Sequence, residues 1–244
     1  MKLYTSLAHI YHSMYQGLFD YDEEYQFYDR ELSALPDNNV IEFGCGSGNL
    51  AKRFIDNGYL YQGVDLNREM LDIAVSYLPK EKFSQGDMRH YKSDKKFDAC
   101  LITGRSISYL VSDEDVKMTF DAMHDCLDSG GLLIFDAIDA EKLFRDFDTS
   151  EKVLTIGNYK RQSRSVPNQT CGPWTWDWSS EYYIYDGHNY THAGDDFATV
   201  RAFTKDELYA FLSQSGFELV DMVAKNTYIW EDNFFIARKH NPKI

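Results

Sequence analysis

Residues 40 to 50, VIEFGCGSGNL, constrain the fold more than any other stretch of this chain. An apolar run with β-branched and aromatic residues passes into three alternating glycines, Gly44, Gly46 and Gly48, and then into a segment of helical pattern. In a parallel α/β sheet the ligand lies at the carboxyl ends of the strands, and a glycine-rich turn between first strand and first helix lets it rest on bare backbone. Glycine serves there because it reaches positive φ and carries no Cβ. The match to the dinucleotide pattern G-x-G-x-x-G/A is partial, because Asn49 stands at its third position and Gly48 comes one residue early. A strand-to-helix turn with no ligand at all is the competing reading of the glycines by themselves.

The surrounding pattern supports a sheet. Strand-like runs at 39–43, 59–64, 82–85, 97–102 and 132–137 alternate with helical segments at 48–57, 68–78 and 113–127, as βα units require. The last helix opens at Ser112, with Asp115 three residues on. Ahead of them, residues 4–35 carry apolar and aromatic positions at three- and four-residue steps, broken near Gly17, and predict two helices. The alternation stops at 138. From there to 203 the chain is rich in aromatics, Asn, Asp and Gly, with period-2 stretches such as WTWDWSSEYYIYDG that predict antiparallel strands in an inserted cap. Thr204-Lys-Asp-Glu207 then reads as a capping box, with Gly216 past the helix end and strands at 218–225 and 233–238 closing the sheet as a hairpin. The expected organisation is therefore 1–37, N-terminal helices; 38–137, ligand-binding α/β core; 138–203, β cap; and 204–244, helix and hairpin completing the core.

Two aspartates agree with the glycine turn. Asp65 ends the second strand in YQGVDL, where a carboxylate accepts both hydrogens of a ribose diol. Asp87 follows the third strand in SQGDM, placed to accept from an adenine amino group while the Met88 amide donates to the ring. Each alone is an ordinary loop residue; the three features fall at successive strand ends in order. Composition narrows the partners. The formal net charge of −14 repels phosphate backbones and anionic lipid, so a small molecule is expected rather than nucleic acid or a membrane. The N-terminus is broken by polar residues and lacks the apolar stretch of a signal peptide. Cys45, Cys100, Cys126 and Cys171 form neither a CxxC pair nor a compact framework, which predicts reduced thiols, a cytoplasmic setting and no structural zinc.

Through VIEFGCGSG, GVDLNREMLDIA, FSQGDMRHY, FDACLITG and SGGLLIFDA the sequence resembles the class I S-adenosylmethionine-dependent methyltransferases, over about residues 38–137 and again over 203–238. The resemblance implies an α/β, Rossmann-like, mostly parallel seven-stranded sheet with helices on both faces and an inserted antiparallel β cap. It also implies that S-adenosylmethionine lies against Gly44, Cys45 and Gly46, with Asp65 and Leu66 at the ribose, Asp87 and Met88 at adenine, and the backbone at Thr103 and Gly104 facing its amino group. The N-terminal IYHSMYQG, the SISYL segment and the late insertion look most like small-molecule N-methyltransferases, including those acting on amino sugars. The implied reaction is in-line methyl transfer to a small acceptor, an amine nitrogen before an oxygen, by a monomer or homodimer. A non-catalytic module binding the same nucleoside and a nicotinamide oxidoreductase remain the alternatives.

Several side chains are candidates for the acceptor side. Tyr11 and Tyr15, four apart on one helical face, can contact the cofactor's carboxylate or sulfonium, and Tyr15 is a catalytic candidate. Arg105 directly follows the fourth strand and can pair with an acidic group of cofactor or substrate, or with a surface carboxylate. His188 and His192 do not fit a helical HExxH zinc site, since glycines flank them and the glutamate is missing; His192 is the candidate general base. Trp174, Trp176 and Trp178 alternate on one strand face, and Tyr183 and Tyr185 continue it if a turn intervenes, which makes Trp176 and Tyr183 the candidate substrate residues. The Asn/Asp-Pro-Pro-Tyr/Phe tetrad of methyltransferases acting on DNA or protein amides is absent after the fourth strand, where Thr103-Gly-Arg-Ser stands.

Overall fold

The computed structural model describes residues 1–168, 170–225 and 232–240. Two N-terminal helices, α1 (Ala8–Gln16) and α2 (Tyr21–Leu32), precede the sheet. The chain then runs β1 (Asn39–Phe43), α3 (Asn49–Asp56), β2 (Leu60–Asp65), α4 (Arg68–Ala74), β3 (Phe83–Gln85), β4 (Phe97–Ile102), α5 (Asp113–Cys126) and β5 (Leu127–Ile138). A short α6 (Ala140–Arg145) leads into β6 (Lys152–Ile156), β7 (Tyr159–Pro167), β8 (Thr175–Tyr185) and β9 (Tyr190–Arg201). The chain returns through α7 (Lys205–Gln214), β10 (Phe217–Lys225) and β11 (Asp232–Lys239).

The large sheet has the order β10-β11-β5-β4-β1-β2-β3. Its strands β1 to β5 are parallel, while β11 runs antiparallel to both β5 and β10. Alternation along β1 explains why NVIEF reads as almost continuously apolar: Ile41 and Phe43 pack with α5 residues Phe120 and Met123 on one face, and Val40 packs with Phe54 of α3 and Tyr28 of α2 on the other. The connections from β1 and β4 leave on opposite sides, which opens a crevice at their carboxyl ends.

The second sheet, β6-β7-β8-β9, is antiparallel throughout. It leaves and rejoins the core at one point, where the Phe203 amide donates to the Ile138 carbonyl and the Ala140 amide to that of Phe203, both at 3.0 Å. Its inner face packs on α1 and the segment before it: Trp176, Trp178, Tyr182 and Val200 share a core with Leu3, Leu7 and Met14.

Local signals act as the sequence predicts. Ser112 accepts from the Asp115 amide, and the Thr204–Glu207 box is closed in both directions. Three expectations need correction. Strand β5 begins at Leu127, not 132, because Asp128–Gly131, a turn by composition, is carried as an irregularity in the pairing with β4. Helix α4 stops at Ala74 rather than 78. The segment 138–203 is not wholly β, since Asp139 caps α6 by accepting from the Lys142 amide.

Candidate functional site

The glycine turn is pinned from below. The Gly44 and Cys45 amides both donate to the Val64 carbonyl, at 2.8 and 3.1 Å, so the turn after β1 hangs on the end of β2. Gly44 has φ +70°, and a Cβ there would stand 2.3 Å from the Ser106 hydroxyl oxygen. At Gly104, φ +62°, a Cβ would meet nothing within 4 Å, so that backbone borders open space. Both glycines line a chamber of about 200 Å³ together with Gly46, Asp65, Leu66, Asp87, Met88 and Thr103.

Asp65 is 7 % exposed and accepts from the Gly46 amide and the Asn67 amide, each at 2.8 Å. Burial raises its pKa against the pull of those amides. Asp87 is held on the chamber wall by Arg89, whose Nη2 lies 2.6 Å from one carboxylate oxygen and whose Nη1 reaches Asp115 at 2.9 Å. That hydrogen-bonded guanidinium holds the Asp87 carboxyl below the usual range. Leu66, 58 % exposed, offers an apolar surface at the rim.

A second, inner chamber of about 110 Å³ lies behind the first and shares Tyr4, Tyr11, Gly44, Gly46, Thr103, Gly104 and Tyr109 with it. The neck between them is aromatic. The Tyr4 ring stands edge-on to Tyr11 and Tyr109 at centroid distances of 5.1 and 5.8 Å, and the Tyr4 and Tyr109 hydroxyls are 2.7 Å apart. Burial raises the pKa of both tyrosines, so both stay protonated at neutral pH. Tyr15 stacks on Tyr11 at 4.1 Å, and its hydroxyl accepts from Arg161 Nη1 at 2.9 Å. Trp176 and Trp178 complete the cap side. On the floor, Glu42 accepts from Thr103 Oγ1 at 2.6 Å and from the Tyr61 hydroxyl at 2.5 Å, and burial pushes its pKa up to about 7. Cys45 lines this chamber as a thiol, its pKa raised by burial.

The remaining candidates lie elsewhere. Strand β8 is continuous, with no turn between the tryptophans and the tyrosines, so parity persists and Tyr182, not Tyr183, extends the inner face. Tyr183 belongs to the outer face, beneath Lys160 Nζ at 4.1 Å, and lines neither chamber. His192 pairs across from Tyr183, is exposed, and has Nε2 2.6 Å from Asp195 Oδ1; it too is outside both chambers and is not placed to act as base. Arg105 does line the inner chamber, but its positive φ turns the guanidinium toward β11, where Nε meets buried Asp232 at 2.5 Å. It is a buried structural pair rather than a surface one. Conversely, Tyr4, Glu42, Tyr109 and Arg161 join the site without having been singled out. A carboxylate inside the apolar run VIEF was a visible anomaly; Arg161 had no signal, because only the folded cap brings it to Tyr15.

Comparison with known proteins decides the family. The methyltransferase domain family matches residues 40–131. An uncharacterized methyltransferase of Bacillus mycoides (strain KBAB4) is 30 % identical over 158 residues, 62 % of this chain and 71 % of that one. The chain belongs to the class I S-adenosylmethionine-dependent methyltransferases. The same methyltransferase fold spans an S-adenosylmethionine-dependent methyltransferase of Clostridium acetobutylicum, with TM-score 0.82, 20 % identity and coverage of 98 % of this chain and 99 % of that one. It also spans the sugar N-methyltransferase KedS8 from Streptoalloteichus, with TM-score 0.77, 20 % identity and coverage of 95 % and 93 %. The methyltransferase uses S-adenosylmethionine, and the outer chamber fits it: bare backbone at Gly44 and Gly104, a desolvated carboxylate at Asp65 and apolar Leu66 and Met88 are what a nucleoside with a zwitterionic tail requires. Membership removes the nicotinamide and non-catalytic alternatives.

Proposed function

We propose that this methyltransferase acts on a small-molecule amine, with the cofactor in the outer chamber and the amine nitrogen at the tyrosine neck. The observation that carries this reading is the neck itself, where Tyr4, Tyr11 and Tyr109 border both chambers. Gly44 and Gly46 back the amino-acid tail, Asp65 holds the ribose, and Asp87 with Met88 reads adenine. When bound, S-adenosylmethionine supplies a methyl group already activated on sulfur, which departs as a neutral thioether.

The chain's own work is placement and dehydration. A neck of electron-rich rings suits both a sulfonium and the ammonium product. The hydroxyls of Tyr4 and Tyr109, kept protonated by burial, can accept from an amine N–H and aim its lone pair, but they do not take its proton. The neutral amine is therefore the reacting form, and turnover rises with pH until the acceptor is deprotonated. Tyr15, tied to Arg161, orients Tyr11 rather than serving as base. The fold likeness to a sugar N-methyltransferase supports nitrogen, and the net charge of −14 argues against nucleic acid. Among the described residues no helix is long and apolar enough to cross a membrane.

The test is formation of S-adenosylhomocysteine with panels of small amines, matched alcohols and nucleic acids, the methylated product being located by mass spectrometry. Methylation confined to oxygen or to nucleic acid overturns the proposal.

A further inference from the structure

Helix α1 carries two pairs of side chains at four-residue spacing, and each pair meets a different part of the site. Tyr11 and Tyr15 line the inner chamber. His12 and Gln16, one residue further round, reach the glycine turn instead. There they close a ring of hydrogen bonds with Ser47 and Asn49. His12 Nδ1 lies 2.8 Å from Ser47 Oγ, Gln16 Nε2 lies 3.0 Å from His12 Nε2 and 3.2 Å from Asn49 Oδ1, and Asn49 Nδ2 lies 3.4 Å from Ser47 Oγ. Tyr77 braces the same turn, its hydroxyl donating to the Ser47 carbonyl at 2.5 Å.

The amides fix the protons of this ring. An amide nitrogen only donates, so His12 Nε2 accepts from Gln16, the imidazole is neutral, and its one hydrogen sits on Nδ1 and goes to Ser47. Ser47 Oγ therefore accepts twice, from His12 and from Asn49, and its own hydrogen has no acceptor within the ring. Ser47 is 2 % exposed and lines the inner chamber beside Gly44 and Gly46, which border both chambers, so the chamber is where that hydrogen can be used. A protonated His12 reverses the ring. Its Nε2 then donates, Gln16 and Asn49 must turn their oxygens toward His12 and Ser47, and the Ser47 hydrogen is taken by Asn49.

We infer that His12 is a positioning residue for the cofactor: when neutral it leaves the Ser47 hydroxyl to donate to the carboxylate of the amino-acid tail of S-adenosylmethionine, and when protonated it turns that hydroxyl away. This rests on the reading that the tail lies against Gly44 and Gly46, and it requires no particular acceptor. Burial, then His9 one turn earlier on α1, lowers the His12 pKa. The other titratable or charged neighbours are Tyr77, whose ring centre is 6.1 Å away, and Arg53 of α3, which donates to the Asn49 carbonyl and is paired with Asp22 at 2.6 Å. The neutral ring is thus the form at neutral pH. Tail binding favours neutral His12, so affinity is full above the lowered pKa and falls as pH drops through it.

The test is the calorimetric dissociation constant of S-adenosylhomocysteine, which carries the same tail, at about pH 8 and about pH 5.5. The wild type should bind about threefold or more weakly at the lower pH. Ser47→Ala, which deletes the donated hydrogen, should weaken binding about tenfold at the higher pH and lose that slope. His12→Asn, whose amide donates in place of Nδ1 and cannot be protonated, should rescue tight binding and also lose the slope. Equal slopes in all three proteins would assign the titration to Glu42 or Asp65 and overturn the inference, as would a wild type with no slope or a Ser47→Ala protein of unchanged affinity. Gly44→Ala, titrated in parallel, reports separately on where the tail lies, and no acceptor enters the measurement, so the proposed amine chemistry stands or fails independently.

Discussion

The floor and the roof of the site are built on different principles. The floor is backbone and short-range: Gly44 and Cys45 hang on Val64, Asp65 accepts from Gly46 and Asn67, and Gly104 lies two residues past β4. The roof is side chains brought from afar: Tyr4 meets Tyr109 across 105 positions and Tyr15 meets Arg161 across 146. A floor of this kind recognises a cofactor of fixed shape, while a roof of side chains can be refitted to a new acceptor without disturbing the sheet.

The comparison can be broken at the floor most severely. Gly44→Ala forces a Cβ to 2.3 Å from the Ser106 oxygen at a φ that side chains avoid, and should cost on the order of 100-fold in S-adenosylmethionine affinity by calorimetry. Asp65→Ala should weaken the cofactor by about 1–3 kcal/mol, and Asp65→Asn by less, because the amide oxygen still accepts from the backbone; equal affinity in all three proteins would remove Asp65 from the ribose.

Glu42 tests how deeply the floor is buried. Its folded pKa of about 7 stands above the 4.5 of an exposed carboxyl, so the folded state holds a proton that the unfolded chain has released between those values. The stability this contributes is fully present below pH 4.5 and is lost as pH rises through about 7. Glu42→Gln, neutral throughout, should therefore be more stable than the wild type at pH 8, by an amount on the order of 3 kcal/mol, and nearly equal to it at pH 4.5. A thermal series across that range that shows parallel curves defeats the argument.

At the roof, Tyr109→Phe keeps the ring and deletes the hydroxyl beside Tyr4; turnover should fall about tenfold with cofactor affinity unchanged, a split that a packing defect would not give. The smallest effect belongs to His192→Ala. Outside both chambers, it should leave kcat/KM within about twofold, and a large loss would place the reaction somewhere else.

The same contrast explains what could be read without coordinates. The glycine turn, Asp65, Asp87 and the two capping motifs are local, and their meaning survives without knowing what packs above them. Tyr183 falls on the inner face only if a turn intervenes after the tryptophans, whereas β8 passes straight through the Ser179-Ser180 pair and keeps its parity. Ser180 faces inward and is 4 % exposed, so the polar pair marks no break in the strand. Arg105 shows the reverse problem, a residue correctly placed beside the site whose charge is taken up by Asp232, 127 positions away.

One tie across the roof turns two backbone amides into a clock. The Lys2 and Leu3 amides, outside any helix or strand, both donate to Asp196 Oδ1 on the cap, at 2.5 and 3.1 Å, whereas amides left to solvent exchange with deuterium without delay. Here their exchange waits for the segment ahead of α1 to part from the cap, so deuterium uptake in the peptide holding Leu3 counts those openings. S-adenosylmethionine should slow that uptake, and Asp196→Ala should restore the speed of an unprotected amide with or without it.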